Sequence, residues 1–144
     1  KKGIVVPKFK SFAAAGALIS SIGKNLESNA NNMTGRFCNQ ILFNVCTTTP
    51  VDTGQARGNW RMQTDSPDKN QYIGKSYYDP IGIATYNKGA SNINGKDLSS
   101  VYITNNLPYI VPLNFGSSKQ APPHFIESCV NSAVKSINTK VLWS

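Results

Sequence analysis

Residues 49–60 read TPVDTGQARGNW, and this stretch divides the chain. Pro50 disfavours helical backbone at the residue before it. Upstream, Phe37, Ile41 and Val45 are spaced by four, and Cys38 and Leu42 widen the stripe. That pattern predicts a helix from Met33 to about Thr47, closed by TTTP. Downstream, GNWRMQT (58–64) reads as a strand. Between them, Asp52 and Thr53 can accept hydrogen bonds from nearby backbone N–H groups, and Gly54 can adopt a positive φ. Arg57 can pair with Asp52 or with a carbonyl oxygen, and Trp60 can lock the strand to the core. The stretch is a charged corner between helix and strand.

Working outward, KKGIVVPKFK opens the chain. Residues 1–8 are expected to form an extended arm, with Lys1, Lys2, Lys8 and Lys10 as groups that reach a partner. Phe12, Ile19, Ile22 and Leu26 share one face, which predicts a helix over 9–28 despite Gly16 and Gly23. SNANN (28–32) is read as a break. On the other side, residues 65–80 are turn-rich. IGIATYN (81–87) alternates and predicts a strand, and KGASNINGKD after it predicts a flexible polar loop over about 87–98. SSVYITN (99–105) is the strongest strand, rich in β-branched and aromatic residues. The two prolines of LPYIVPLNFG limit it to a short turn of helix. A last helix over 123–141 follows SSKQAPP, with Ile126, Cys129, Val130, Ala133, Val134, Ile137 and Val141 on its apolar face. The sum is a single α+β domain over 9–144: N-terminal helices and a C-terminal helix packed on a small, mainly antiparallel β-sheet.

The 144 residues suffice for one core. The net charge of +8, from 15 Lys+Arg against 7 Asp+Glu, favours anionic partners, but the basic residues are scattered and form no arginine-rich run. A basic nucleic-acid-binding module is the alternative this charge supports. Tyr72, Tyr77, Tyr78, Tyr86, Tyr102 and Tyr109 with Arg57 and Arg61 can stack bases, yet such residues equally suit core edges and protein interfaces. Cys38 and Cys46 lie about 12 Å apart on one helix, too far for a disulfide. The three cysteines are read as reduced, buried thiols made in a cytoplasm. No apolar run approaches the roughly 20 residues of a membrane span, and IVV is too short for the apolar core of a signal peptide; no membrane partner is expected.

Catalytic patterns are scarce. His124 is the single histidine, with Glu127 one helical turn on and Asp52 and Asp65 far away in sequence. It reads as a helix-start residue. Cys38, Cys46, Cys129 and His124 lack the tight cysteine spacing of a zinc site. No phosphate loop or dinucleotide fingerprint is present, and seven carboxylates argue against glycoside hydrolysis. Neither catalytic activity nor any cofactor or metal is expected.

TPVDTGQARGNW, followed by VYITNNLPYIVPLNFGSSKQAPPHF (101–125), resembles the HK97-type gene-product-ten-like family of tailed-bacteriophage neck and tail-completion proteins. Such proteins carry a TPVDTGR-like turn into a strand, then a strand running into N-x-x-PYA, an LEYG-like segment and a SxQAP loop before the last helix. The resemblance spans roughly residues 10–140. Three positions depart from it: Gln55 stands where Arg is common, Asn114 where Glu is usual, and His124 where Gly is usual. A Gln55–Asn114 hydrogen bond in place of the absent salt bridge is therefore expected.

The resemblance implies assembly rather than catalysis. It implies a virion protein, assembled in the host cytoplasm, forming a ring of about six or twelve copies in the neck. Its neighbours would be a head adaptor or connector and a tail terminator or tail tube. Genomic DNA would pass non-specifically close through the lumen. The arm and the 87–98 loop would reach those partners. Asp52, Thr53, Gly54 and Arg57 would shape the corner. Trp60, Pro108 and Tyr109 would support it, and Gln120, Ala121 and Pro122 would position the last helix. These residues are read as fold determinants first and as interface candidates second.

Overall fold

The computed structural model of the protein describes the backbone of residues 5–6 and 27–143, and the side chains of residues 32–136. Helix α1 spans Glu27–Thr48. Its Phe37, Cys38, Ile41, Leu42, Val45 and Cys46 are all fully buried, as the spacing of four demands. Helix α4, Phe125–Trp143, lies along α1 and contributes Phe125, Ile126, Cys129, Val130 and Ala133 to the same core. Asn44 Nδ2 ties the two helices by donating to the Cys129 carbonyl at 3.1 Å.

Three short strands form one antiparallel sheet: β1 (Val5–Val6), β2 (Arg61–Gln63) and β3 (Tyr102–Thr104), with β3 in the middle. Register partners Met62 and Ile103 are both fully buried. They face the helices, and the sheet thereby closes the core. The class is α+β. Of the expected arm, Val5–Val6 is strand β1; Lys1, Lys2, Lys8, Lys10 and the helix expected over 9–28 lie outside the described residues.

Three expectations are overturned. IGIATYN is not a strand. Helix α2 runs Ile83–Ile93 and packs between α1 and β2, so most of the loop expected over 87–98 is helical. The cause is Asp79. One of its carboxylate oxygens accepts from Gly82 N at 3.0 Å. The other accepts from the Thr85 N–H at 2.8 Å and from the Thr85 hydroxyl at 2.7 Å. These backbone N–H groups are donors that the first turn of a helix leaves unsatisfied. The buried residues Thr85, Gly89 and Ile93 recur every four positions, which is helical periodicity. SNANN is likewise no break but the first part of α1; Ser and Asn weaken a helix by only about 0.5 kcal/mol each. A short helix α3, Ile110–Asn114, fills the place predicted for it.

Candidate functional site

The corner at 49–60 is irregular, so its backbone groups need partners outside any ladder. Thr49 is the first. Its hydroxyl donates to the Val45 carbonyl at 2.6 Å and accepts from Trp60 Nε1 at 2.9 Å. Trp60 is 1% exposed and anchors the corner in the core. Gly54 has φ 96°, and a Cβ there would stand 2.5 Å from the Pro80 nitrogen. The Gly54 carbonyl accepts from Gly58 N and from Asp79 N, both at 3.0 Å. Arg57 resolves its two expected partners in favour of carbonyls. Nε donates to Thr49 O at 2.6 Å and Nη1 to Pro80 O at 2.8 Å. Gly54 and Arg57 thus fasten the corner to residues 79–80, the segment that starts α2.

Side-chain amides complete the frame. Gln120 grips the Val51 residue from both sides: its Nε2 donates to Val51 O at 2.6 Å and its Oε1 accepts from Val51 N at 2.7 Å. Asn105 Nδ2 donates to Ala56 O at 2.9 Å. Asn59 accepts from Tyr72 N and donates to the Gln55 and Tyr72 carbonyls. Asn106 donates to the carbonyls of Asp68 and Asn70. Gln55 bridges the Tyr109 hydroxyl, at 3.0 Å, and Gly74 N, at 2.9 Å. The expected Gln55–Asn114 bond does not form. Asn114 is buried and occupied at the start of α4, where its Oδ1 accepts from Ile126 N and its Nδ2 donates to Glu127.

The corner walls an open groove of about 530 Å3, with Asp52, Thr53, Gln55, Tyr78, Tyr109 and Gln120 in its lining. Of the predicted residues, Asp52, Thr53, Gly54, Tyr109 and Gln120 meet here. Arg57 lies beneath, and Trp60 and Ala121 are buried. Pro108 and Pro122 are exposed, one just ahead of α3 and the other ahead of α4, and do not line the groove. Beside the groove, the 72–83 segment exposes Ile73, Tyr77, Tyr78, Ile81 and Ile83, and Tyr109 and Phe115 are exposed as well. These large apolar side chains give the molecule an exposed apolar segment beside the groove. Within the lining, Asp52 is the one carboxylate, with no Lys, Arg, His or Cys beside it. Such a groove can bind through aromatic faces, hydroxyls and amides.

Elsewhere, their surroundings shift the titration of Asp79 and of the cysteines. Burial pushes Asp79 up, but the hydroxyl and N–H of Thr85, the Gly82 N–H and the Arg57 charge outweigh it and hold the carboxyl below its ordinary value. Cys38, Cys46 and Cys129 are free and buried. Burial raises the Cys38 thiol to about 12 and Cys129 to about 11; it also raises Cys46, with the Asp79 charge adding to the effect. No group of three or more metal-binding side chains gathers among the described residues. His124 is exposed, with Nδ1 3.9 Å from Glu127 and its ring edge-on to Phe115 at 5.3 Å. Its φ is +62°.

Comparison with models of known protein families, with curated proteins and with solved structures returns no match. The sequence reading missed Asn59, Asn105, Asn106 and Asp79 as parts of the site. A signal existed for two of them: amides placed where a strand runs into a proline turn, as in TNNLP, have backbone groups within reach.

Proposed function

We propose that this chain is a structural virion protein of a tailed bacteriophage. It forms a homo-oligomeric ring in the neck, where it joins the head connector to the tail and lets DNA pass through its lumen. One observation carries the reading. The two sequence segments that bear the family resemblance, far apart in the chain, meet in a single clasped corner through Gln120–Val51 and Asn105–Ala56. The second support is His124. The family pattern has Gly at this position, and the backbone here has the positive φ that favours Gly. The third is the exposed apolar segment beside the corner, which suits packing against a neighbour better than solvent. The net charge of +8 suits a wall facing DNA.

Native mass spectrometry of the full chain, with cryo-microscopy of virion necks, tests the reading. The expected result is a closed ring, and symmetric density between portal and tail that fits this fold. A chain that remains monomeric and is missing from the virion overturns it. Tight, steeply salt-dependent DNA binding by that monomer would establish the nucleic-acid module instead.

A further inference from the structure

The two ends of α1 carry complementary unpaired charges. At its N-terminal half lies a second, more polar groove of about 760 Å3, between α1 and residues 90–98. Arg36 and Lys96 give it positive charge, and Asn32, Asn39 and Asn94 line it with amides. Arg57 and Arg61 are bound to carbonyl oxygens, whereas Arg36, alone among the described arginines, bonds to nothing. The Asn39 Oδ1 is shut from solvent and has no hydrogen-bond partner. Beyond the other end of α1, past Thr48, the exposed tip of the corner carries Asp52. It is the one described carboxylate with no partner: Asp65, Asp68, Asp79, Asp97 and Glu127 each accept a hydrogen bond. From Arg36 to Thr48 the helix axis advances roughly 18 Å, so the two charges cannot meet within one copy.

We propose that the Arg36 groove receives the Asp52 corner of the next copy of this chain, with the Arg36 guanidinium taking the Asp52 carboxylate. The inference rests on the ring reading and names the two faces that a ring requires. A head-to-tail ring needs two different, complementary patches on each subunit, and these two are separated along α1. The groove's chemistry selects a polypeptide. Arg36 attracts any anion, but Asn32, Asn39 and Asn94 line the groove with amides that both donate and accept, and a DNA phosphodiester can only accept. A peptide corner presents a carboxylate together with backbone N–H groups. Within this same chain, Gln120 already shows how a side-chain amide grips backbone groups. Tyr78 and Tyr109, exposed beside the Asp52 corner, supply the aromatic area that anchors such contacts. The ion pair fixes register and partner choice more than affinity.

The test is a charge swap on the full chain. Asp52→Arg and Arg36→Asp change exposed residues, so both variants keep the wild-type melting temperature. Each alone places like charges at every contact, and its association, read by native mass spectrometry and light scattering, weakens by about tenfold or more. An equimolar mixture restores assembly. Each contact between the two variants then joins either the native Asp52 to the native Arg36, or the introduced arginine of one variant to the introduced aspartate of the other. Rings that ignore both substitutions, or folded single variants that the mixture does not rescue, overturn the pairing and leave the ring reading standing. A wild-type chain that never self-associates overturns both.

Discussion

The helical side of the molecule and the corner are both ordered, by opposite means. Along α1 and α4, order comes from apolar side chains meeting apolar side chains, as where Phe37, Ile41 and Leu42 share one core with Phe125, Ile126 and Val130. Such contacts ask for volume and shape, not for a particular group. In the corner, order comes from named atoms. Arg57 reaches Thr49 O and Pro80 O, Gln120 clasps Val51, and Asn105 holds Ala56. No other residue of similar size offers the same donors in the same fork as Arg57. A core can drift in sequence while keeping its fold. A corner built this way has to keep its letters, which is why it reads as a motif.

The harshest way to break the comparison is to remove a large residue that belongs to both halves. Trp60 fills the core and gives its indole N–H to Thr49. Trp60→Ala is expected to cost about 3–5 kcal/mol in urea unfolding, the range for deleting a buried aromatic. A cost below about 1.5 kcal/mol would mean that the corner is held without its anchor.

Conservative substitutions separate the two regions with a smaller effect. Leu42→Met keeps apolar volume and is expected to cost less than about 1.5 kcal/mol. Arg57→Lys keeps the charge but loses the fork that spans Thr49 O and Pro80 O. It is expected to cost about 2 kcal/mol, the scale of hydrogen bonds made by a charged group. If thermal and urea melts rank the two the other way, the corner is no more exacting than the core.

The same contrast explains what could be read from sequence. The fold class was legible because Phe37, Ile41 and Val45 repeat at helical spacing and VYIT favours a strand. The short α3 was legible from its prolines. Helix α2 was not, because IGIATYN alternates over a window too short to separate the two periods. Two of that window's apolar residues, Ile81 and Ile83, turn out to be exposed, so they carried no core signal at all. The decisive residue, Asp79, precedes the helix and acts through three hydrogen bonds that no periodicity records. In the site, the local half of the corner was legible: Gly54 takes its positive φ, Arg57 finds carbonyls and Trp60 is buried. The distant half was not. That Gln55 would turn to Tyr109 and Gly74 rather than to Asn114 depends on where residues 72–78 pass, and nothing in their composition says so.

The smallest expected effect isolates the link between corner and helix. The Asp79 carboxyl is held below its ordinary pKa by the Thr85 and Gly82 donors and by Arg57, against the opposing effect of burial. A carboxyl with a depressed folded-state pKa adds stability above its unfolded pKa and loses it as pH falls through the folded value. Stability should therefore be flat down to about pH 4, the ordinary carboxylate range, and decline below it. Asp79→Asn keeps the shape and one acceptor oxygen but removes the charge and the titration. At pH 7 it should cost about 1 kcal/mol, the usual loss for a helix cap, and its decline in acid should be shallower than that of the wild-type chain. Parallel acid profiles for the two proteins, measured by thermal melts from pH 7 downward, would assign the acid sensitivity to the other carboxylates. The start of α2 would then depend on packing rather than on Asp79.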